Sequence, residues 1–365
     1  MASKLDEARR IINTVDREMA RLFTERMRAA ELVAEYKKEH GLEILDKARE
    51  DEVIRRNSAL IEDPVIREYY VNFLASTMAI SRSYQARLNE GMRIAYCGTE
   101  GAFAHIVTEK TFPFGKKVAY KTFDEAYSAV ERGECDAAML PIENSTGGEV
   151  GQVTDLMFSG TLYVNGVAEM AVKHDLLVKP GTRLEDVKTV VSHPQALSQC
   201  HEFIKKHGFA EKEYKNTALA AEYVAGCEDG SIAAIASAEA AKKFGLEVIL
   251  EGINDTGINT TRFGIFSRAM TSHNASEMGV HSVFVFTVRN EAGALAKAID
   301  IIGKHGFNMR TLRSRPMKEL LWQYYFYVEA EGNIFTEEGQ KMLSELGDYC
   351  DRLKAIGTYS KYREA

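Results

Sequence analysis

The feature that most constrains this chain is an abrupt change in composition near residue 91. Between residues 3 and 90 the sequence holds one glycine, Gly41, and one proline, Pro64, so little interrupts a helix. Apolar residues recur there at helical spacing, and Asp63 with Pro64 marks a helix start. We therefore predict three helices, at about residues 3–40, 46–61 and 64–89.

After "MRIAYCG" the pattern changes to short strands rich in Val, Ile and Ala that alternate with helices, which is typical of an α/β sheet. The alternation occurs twice, which predicts two lobes with a ligand cleft at the carboxyl ends of the strands. Beyond the polar stretch "MTSHNASEMG" the elements follow the order βαββαβ. The sequence thus predicts a multidomain chain: an all-α helical domain at 1–90, a two-lobed α/β domain at 92–270 and an α+β domain at 280–362.

Composition narrows the class of protein. The 365 residues are 45% hydrophobic and 27% charged, as in globular proteins, and the net charge of -7 argues against a nucleic-acid partner. The five cysteines are scattered, without C-x-x-C or a pairing with histidine, so neither disulfides nor a metal site is expected. No apolar run suggests a signal sequence or a membrane span, and we expect a cytoplasmic protein.

Two basic side chains interrupt the apolar face of the first predicted helix. Arg26 falls on the heptad seam, and Lys37 lies about 20° away at ~100° per residue, on the same face. Arg9 is displaced from Arg26 by about 100° and points to a different neighbour. Polar residues of the other helices add to the set: Asp46, Arg49 and Glu50 on one face of the second, and Ser81 and Gln85 on the third.

Each of these charges alone fits a snorkelling side chain or a surface ion pair. Together they describe a cationic pocket inside a helical bundle, which suits a small dicarboxylate. The block resembles the all-helical chorismate mutase family along its whole length, in "EARRIINTVD…ER…K…LDKARE…S…Q". The resemblance implies an intertwined helical dimer with a pocket that contains the following residues: Arg26, Lys37, Asp46, Arg49, Glu50, Ser81, Gln85 and, from the partner chain, Arg9.

The reaction implied by this resemblance is the Claisen rearrangement of chorismate to prephenate, which needs no cofactor. Two residues, Arg9 and Arg26, would bind the carboxylates, while Lys37 and Gln85 would donate hydrogen bonds to the ether oxygen. Glu50 would hold the substrate hydroxyl, with Asp46 nearby. The enzyme would act by holding the reactive conformer and favouring charge separation at the breaking bond.

Polar residues also end several strands of the middle block. In "DTGINTTRFGIFSR", Thr261 and Arg262 precede a predicted strand, where they could simply begin a strand that leaves its charge in water. The stretches "PIENS", "SHPQ" and "NTA" end three other strands, and each fits a helix cap. In a shared cleft, however, helix amino ends also form an anion site.

In this order these stretches resemble the prephenate dehydratase domain over about residues 92–268, with "TRF" as the most recognisable motif. The resemblance implies loss of water and carbon dioxide from prephenate to give phenylpyruvate, with Thr261 acting on the leaving hydroxyl as a catalytic residue. Threonine is a weak acid, so Glu143 or a bound water is an alternative proton source. Arg262 is either structural or a carboxylate ligand. The implied substrate-binding residues are Glu143, Asn144, Ser145, Ser192, His193, Gln195, Asn216, Thr217, Arg262 and Phe263.

The glycine-rich opening departs from the family, since "GTEGAFA" has Ala102 and Ala104 where hydroxyl residues are usual. Backbone N–H groups would then have to bind any anion there. This departure leaves the identity of the substrate open, and arogenate is the alternative to prephenate.

The last block resembles an ACT domain, a regulatory module that binds amino acids at a dimer interface. "NEAGALAKAI" matches its glycine loop and "NMRTLRSRP" its second strand, although Arg313 replaces the usual glutamate and Ala296 a common valine. The resemblance implies feedback inhibition by phenylalanine. The implied allosteric residues are Gly293, Ala294, Leu295, Asn308, Ser314, Arg315 and Pro316.

The resemblances together predict a bifunctional enzyme of phenylalanine biosynthesis that binds chorismate, prephenate and phenylalanine. We expect a homodimer or homotetramer, because the helical fold implies two chains and the C-terminal block could supply a second interface. Two lobes around a cleft also suit a solute-binding protein, and ACT domains occur on regulators. A non-catalytic amino-acid-binding regulator is therefore the alternative from another functional class.

Overall fold

The computed structural model describes residues 3–274, 276–317, 323–360 and 362–364, and the chain forms two compact units that divide between Arg93 and Ile94. The first unit is helical, as the sequence predicts. Each of its helices begins at a side chain that caps backbone N–H groups: Ser3, Asp46 and Asp63. The helices are α1 (Lys4–Glu39), α2 (Lys47–Ser58) and α3 (Pro64–Glu90).

Little of the helical unit is buried within one chain. Ala30 and Ala34 of α1 lie buried, and α3 contributes Met78 to the same small interior. The apolar seam predicted along α1 is largely exposed: Ile12 is 56% and Leu22 49% exposed. A helix needs an apolar face to be covered in order to be stable, so α1 carries a surface suited to another chain.

The second unit contains both lobes predicted for the middle block. The first lobe begins with alternating strands and helices, as expected for an α/β sheet. Its elements are β1 (Arg93–Cys97), α4 (Phe103–Thr111), β2 (Lys116–Tyr120), α5 (Phe123–Glu131), β3 (Ala137–Asn144), β4 (Gly148–Glu149), α6 (Gly151–Ser159) and β5 (Tyr163–Ala171).

The second lobe is a separate sheet of five strands in the order β10-β6-β9-β7-β8, with helices between the strands. Its strands are β6 (Asp175–Val178), β7 (Thr189–Ser192), β8 (Ala210–Glu213), β9 (Ile232–Ala236) and β10 (Glu247–Leu250). Its helices are α7 (Pro194–Gln199), α8 (His201–His207), α9 (Thr217–Gly226) and α10 (Ala238–Phe244).

The chain crosses between the lobes twice, at residues 172–174 and 251–259, and then returns to the first sheet as β11 (Thr260–Ser267). The two crossings are hydrogen-bonded to each other: the N–H of Val172 donates to the carbonyl of Asn259 at 2.7 Å, and the N–H of Ile253 to the carbonyl of His174 at 2.8 Å. These bonds hold the two lobes next to each other along one edge of a cleft.

The C-terminal block has the predicted βαββαβ order, and the pair α11 and α12 packs on its sheet over a shared apolar core. Its elements are β12 (His281–Thr287), α11 (Ala294–Lys304), β13 (Asn308–Pro316), β14 (Tyr324–Glu331), α12 (Glu337–Tyr349) and β15 (Arg352–Tyr359), followed by β16 (Tyr362–Glu364). Its strand order is β13-β14-β12-β15.

The C-terminal block shares a sheet with the first lobe. Strand β15 lies parallel to β5 at the pair Gly357 and Val164, and β16 continues alongside β5. The combined sheet runs β13-β14-β12-β15-β5-β11-β3-β1-β2 along its main path. Within the described ranges, no helix has both the length and the apolar character needed to cross a membrane. The cytoplasmic location stays a prediction.

The junction between β15 and β5 should be sensitive to one methyl group. A Cβ at Gly357 would lie 2.0 Å from the carbonyl oxygen of Val164, which is backbone and cannot turn aside. We expect Gly357→Ala to lower the free energy of unfolding by about 2 kcal/mol, and thermal unfolding should show it. Gly303→Ala is the control, because that helical position has nothing within 4 Å of a new Cβ. If both variants unfolded at the same temperature, the close approach of β15 to β5 at Gly357 would be contradicted.

Candidate functional site

The helical unit places Arg26 against α3. The guanidinium of Arg26 contacts the hydroxyl of Ser81 and lies 3.5 Å from the carbonyl oxygen of Thr77. Burial lowers the pKa of Arg26, because a charged group is less stable away from water. The structure therefore brings together the two residues that the sequence placed on facing helices.

The same face of α1 continues from Arg26 to Lys37. Ala30 and Ala34 lie between them, and their small side chains are buried. The ammonium of Lys37 donates to the carbonyl oxygen of Ile44 at 2.7 Å, in the loop before α2. Gln85 lies one helical turn beyond Ser81, and its side-chain oxygen is buried without a hydrogen-bond partner among the described residues.

The predicted residues of α2 differ in their surroundings. Asp46 caps α2 by accepting from the N–H of Arg49 at 3.0 Å. The Arg49 side chain forms an exposed ion pair with Glu52 at 2.6 Å. Glu50 pairs with Arg82 of α3, a residue that sequence analysis did not select although it follows Ser81 directly. Glu50 thus faces α3, while Arg49 lies at the surface of this single chain.

Arg9 stands apart from the other predicted residues. It is exposed, and seventeen residues of helix separate it from Arg26, which corresponds to about 25 Å at ~1.5 Å per residue. Arg9 and Arg26 of one chain therefore cannot contact the same small molecule. A shared role would require Arg9 from a second copy of the chain.

The second unit contains a cavity of about 670 Å³ between its two lobes. Most of the residues predicted to bind substrate line it. These are Asn144, His193, Gln195, Asn216, Thr217 and Phe263, and Thr261, which was predicted to be catalytic, lines it as well.

The lining is suited to an anion. Four helices begin at the cavity wall, at Ala102 (α4), Val150 (α6), His193 (α7) and Asn216 (α9). Helix amino ends carry free N–H groups and partial positive charge, and at Ala102 and Val150 no side chain caps them. Two cations, Lys121 and Lys215, also line the cavity, which therefore favours a ligand with more than one negative charge.

Among the residues that the structure describes, the hydroxyl of Thr261 has a single hydrogen-bond partner. Its oxygen accepts from the Nδ2 of Asn144 at 2.8 Å, because β11 and β3 pair with Thr261 opposite Asn144. Both residues are at least nine-tenths buried. The hydrogen of the Thr261 hydroxyl is therefore free to point at a ligand in the cavity.

Four residues predicted to bind substrate lie outside the cavity lining. Ser192 is fully buried and donates to the carbonyl of Ile235 at 2.6 Å, and the hydroxyl of Ser145 donates to the carbonyl of Ile258 at 2.7 Å. Glu143 and Arg262 pair with each other at 3.1 Å on the opposite face of the sheet.

The pairing of Glu143 with Arg262 extends into the C-terminal block. Arg262 binds Glu329 at 2.8 Å and the hydroxyl of Tyr359 at 3.1 Å, while Glu143 also contacts Arg313. Alternation along β3 and β11 explains this placement: residues next to Asn144 and Thr261 must face away from the cavity. Arg262 was expected to be either structural or a ligand for a substrate carboxylate, and this geometry favours the structural role.

Sequence reasoning missed several lining residues. Gln199 could have been predicted from the sequence, because it belongs to the quoted stretch "SHPQALSQC". Lys121, Lys215 and Glu149 carry the charges of the lining, but isolated charged residues give no pattern. His174 is a single histidine in a crossing between lobes, with no neighbouring motif.

A thiol also lines the cavity. Cys97 lines the cavity, but burial raises the pKa of its thiol to about 11, so it is protonated at neutral pH. In the part of the chain that the structure describes, no three His, Cys, Asp or Glu side chains are grouped so as to hold a metal ion.

The predicted allosteric residues lie at two ends of the C-terminal block. Gly293 precedes α11 with φ +85°, in the left-handed region, and Ala294 and Leu295 begin that helix. Ser314 and Pro316 lie towards the same end of the sheet, whereas Asn308 begins β13 at the other end, about 20 Å away at ~3.4 Å per residue.

The remaining predicted allosteric residue, Arg315, forms ion pairs with the first lobe. Its side chain binds Asp155 at 2.9 Å, and Glu149 lies 3.6 Å away. The Asp155 carboxylate raises the pKa of Arg315 further by this hydrogen bond. Arg315 thus joins the C-terminal block to α6, at the wall of the cavity.

Comparisons with known proteins match this arrangement. The family model for chorismate mutase type II matches residues 8–86, and that for prephenate dehydratase matches residues 94–271. A protein of Neisseria gonorrhoeae (strain ATCC 700825 / FA 1090), named bifunctional chorismate mutase/prephenate dehydratase, is 32% identical and the match covers 98% of this chain and 99% of the relative. The chain belongs to this family of bifunctional enzymes. It therefore carries a mutase and a dehydratase region in the order that the sequence predicts.

Other relatives match the second unit. Arogenate dehydratase/prephenate dehydratase 2 of Arabidopsis thaliana is 34% identical over 73% of this chain and 72% of the relative. A prephenate dehydratase from Arthrobacter aurescens, solved with L-Phe, has a TM-score of 0.68 at 26% identity, covering 74% and 90% of the two chains. A structure described as GqqA, a quorum quenching acylase, has the same TM-score at 30% identity and covers 73% and 97%.

The contact between Asn144 and Thr261 can be tested with a change of one heavy atom. Asn144→Asp keeps the acceptor for the backbone N–H groups of Thr146 and Gly147 but removes the donor to Thr261. We expect the kcat of phenylpyruvate formation from prephenate to fall roughly 10- to 100-fold, since the Thr261 hydroxyl would then donate its hydrogen to the carboxylate of residue 144 and no longer to the leaving group.

Asn165→Asp is a matched control. The amide of Asn165 also accepts a backbone N–H, from Thr271, and donates to a hydroxyl, that of Ser267, but it lies outside the cavity. The control should keep the wild-type kcat. Equal losses in both variants would mean that Asn144 acts only through stability.

Proposed function

We propose that the helical unit converts chorismate to prephenate and that the cavity of the second unit converts prephenate to phenylpyruvate. The observation that carries this proposal is the Thr261 hydroxyl, whose oxygen accepts from Asn144 and whose hydrogen is available, in the lining of a cavity where four helices begin. The reaction consumes one proton and releases water and carbon dioxide, so it needs a site for a dianion and a donor for the leaving hydroxyl. The cavity offers both.

For the mutase step we propose that Arg26 binds a carboxylate of chorismate, with Ser81 holding the guanidinium in place. Lys37 and Gln85 would donate to the ether oxygen as charge develops there. The unpartnered oxygen of Gln85 and the close contact between Arg26 and Ser81 support a pocket in this part of the bundle. A cation fixed before the reaction stabilises developing negative charge without reorganisation.

Arg9 would complete this pocket from a second copy of the chain. Its distance from Arg26 along α1 and the exposed apolar residues of that helix support a dimer. The exposed edge strand β13 could support a further interface between C-terminal blocks. A homodimer or homotetramer is therefore part of the proposal.

For the dehydratase step we propose that the helix amino ends and the two lysines bind the carboxylates of prephenate. The C–C bond to the leaving carboxylate breaks, its electron pair completes the aromatic ring, and the C–O bond breaks. Thr261 donates its hydrogen to the departing oxygen, which leaves as water, and solvent restores the proton. Glu143 lies on the other face of the sheet, so a water is the better proton source of the two alternatives.

Arogenate is a second candidate substrate, favoured by the name of the Arabidopsis relative. Arogenate has an ammonium group where prephenate has a ketone, and an ammonium needs an anionic partner. Among the described lining residues, Glu149 carries the one carboxylate, and it lies 3.6 Å from Arg315. Because a cation already accompanies Glu149, we favour prephenate. The catalytic efficiencies for the two substrates decide between them.

We further propose that the C-terminal block is an ACT domain through which phenylalanine inhibits the dehydratase. Arg313 and Arg315 support this proposal, because Arg313 connects the block to Glu143 on the far face of the sheet and Arg315 connects it to Asp155 and Glu149 at the cavity wall. Asn308 and Gly293 lie at opposite ends of the block, about 20 Å apart as counted along β13 at ~3.4 Å per residue, which fits an amino-acid site formed across two copies of the block. A ligand that binds one arrangement of these contacts better than another would shift activity.

The two activities should be separable. Lys37→Ala should lower mutase kcat/KM by at least roughly 100-fold, because a positioned cation is lost, and leave dehydratase activity unchanged. Thr261→Val, which removes the hydroxyl at nearly constant volume, should do the reverse through loss of proton donation. Prephenate and phenylpyruvate would be measured separately, from chorismate and from prephenate.

Neighbouring residues provide the controls for both variants. Lys38→Ala removes an exposed lysine next to Lys37, and Thr260→Val removes the hydroxyl preceding Thr261. Both should keep full activity. A fully active Lys37→Ala or Thr261→Val enzyme would overturn the corresponding site.

Phenylalanine should bind the whole enzyme and suppress phenylpyruvate formation. We expect a saturable calorimetric isotherm with L-phenylalanine and a weaker one with D-phenylalanine. Asn308→Ala should weaken binding by roughly tenfold, as expected for one lost hydrogen bond. If titration with L-phenylalanine released no heat of binding and activity stayed unchanged at high phenylalanine concentration, the proposed regulation by phenylalanine would be ruled out.

A further inference from the structure

His174 occupies an unusual position in the second unit. It lies in the crossing between β5 and β6, is 2% exposed and lines the cavity. Its backbone N–H donates to the side chain of Asn254 at 2.7 Å, so the opposite crossing holds it in place. Phe103, another lining residue, packs edge-on against the imidazole with ring centres 5.5 Å apart.

The hydrogen-bond network around the cavity determines the orientation of each amide. The Oδ1 of Asn144 accepts from the backbone N–H groups of Thr146 and Gly147 at 3.0 and 2.7 Å. Its Nδ2 must therefore be the group that donates to the Oδ1 of Asn259 at 2.8 Å. It follows that the Nδ2 of Asn259 donates to the Oε1 of Gln199, at 2.9 Å.

This orientation assigns the protons of His174. Its Nε2 lies 2.9 Å from the Oε1 of Gln199, which is an acceptor, so Nε2 carries the hydrogen. Burial lowers the pKa of His174, so at neutral pH the ring is uncharged and has a single N–H. Its Nδ1 is then a bare acceptor, and it is buried without a hydrogen-bond partner among the described residues.

The imidazole of His174 belongs to the cavity lining, and its buried acceptor without a partner calls for a donor, which a bound ligand can provide. Prephenate at neutral pH has two ionised carboxylates and a ketone, all of which only accept hydrogen bonds. Its ring hydroxyl is the one donor. The same hydroxyl is the group that leaves, and Thr261 at the other end of the network would donate to its oxygen.

We propose that the Nδ1 of His174 accepts a hydrogen bond from the ring hydroxyl of the substrate and so selects and orients the leaving group. The inference rests on the proposed dehydratase function. Throughout the step the substrate oxygen keeps its own hydrogen, which remains hydrogen-bonded to Nδ1. The same oxygen receives its second hydrogen through Thr261. His174 is unchanged after water departs, so it is a substrate-binding residue and not the acid.

Two substitutions separate this role from a structural one. His174→Gln can place an N–H near the position of Nε2 and keep the bond to Gln199, but it removes the acceptor at the δ position. His174→Asn keeps an oxygen at the δ position and loses the bond to Gln199. If Nδ1 contacts the substrate, His174→Gln should lower dehydratase kcat/KM by roughly tenfold or more, and His174→Asn should retain more activity.

A substrate analogue tests the contact directly. Inhibition constants would be measured for a stable dihydro analogue of prephenate with its ring hydroxyl and for the methyl ether of that analogue. The wild-type enzyme should prefer the hydroxyl compound by roughly tenfold, and His174→Gln should lose that preference. Mutase activity of the same samples reports that each variant is folded and at equal concentration.

The possible outcomes are distinct. If the wild-type enzyme forms no phenylpyruvate from prephenate, the proposed function itself fails. If it does, but His174→Gln keeps its kcat/KM and its preference for the hydroxyl analogue, only the role of Nδ1 is wrong. Loss of activity in His174→Asn with a normal His174→Gln enzyme would likewise overturn the proposal, because His174 would then only position Gln199.

Discussion

The candidate dehydratase site depends on the hydrogen bonds of the Asn144 side-chain amide. Backbone N–H groups of the following turn fix its oxygen, and its nitrogen then has to donate to Thr261 and Asn259. From there the orientation passes to Gln199 and His174 across the cleft. A network in which every amide has one allowed orientation holds the Thr261 hydroxyl ready, so little reorganisation is needed when substrate binds.

The two proposed sites would stabilise anions by different physical means. In the helical unit the charge comes from side chains such as Arg26, whose burial is offset by contacts with α3. In the second unit much of it comes from backbone N–H groups at helix amino ends, and at Ala102, where the family usually has a hydroxyl residue, no side chain caps the helix. In both proposed sites a substrate dianion would therefore be bound without a common motif.

Behind the cavity, buried charges connect the first lobe to the C-terminal block. Glu329 is 1% exposed and is balanced by Arg262 and the hydroxyl of Tyr359. Breaking such a pair would leave a buried charge without a partner, which is strongly unfavourable. The arginine of the "TRF" motif therefore joins the two parts of the unit, and Arg313, which departs from the family, adds to the same contact through Glu143.

Sequence periodicity and capping residues determined the three helices, the two lobes and the βαββαβ order, because these depend on local spacing of apolar and polar residues. The motifs also predicted Thr261 and Asn144. Only the tertiary structure decided that Glu143 and Arg262 face away from the cavity, since that follows from the register of β3 against β11. It also brought His174 and Gln199 to the site, because contacts between distant segments leave no periodic signal along the chain.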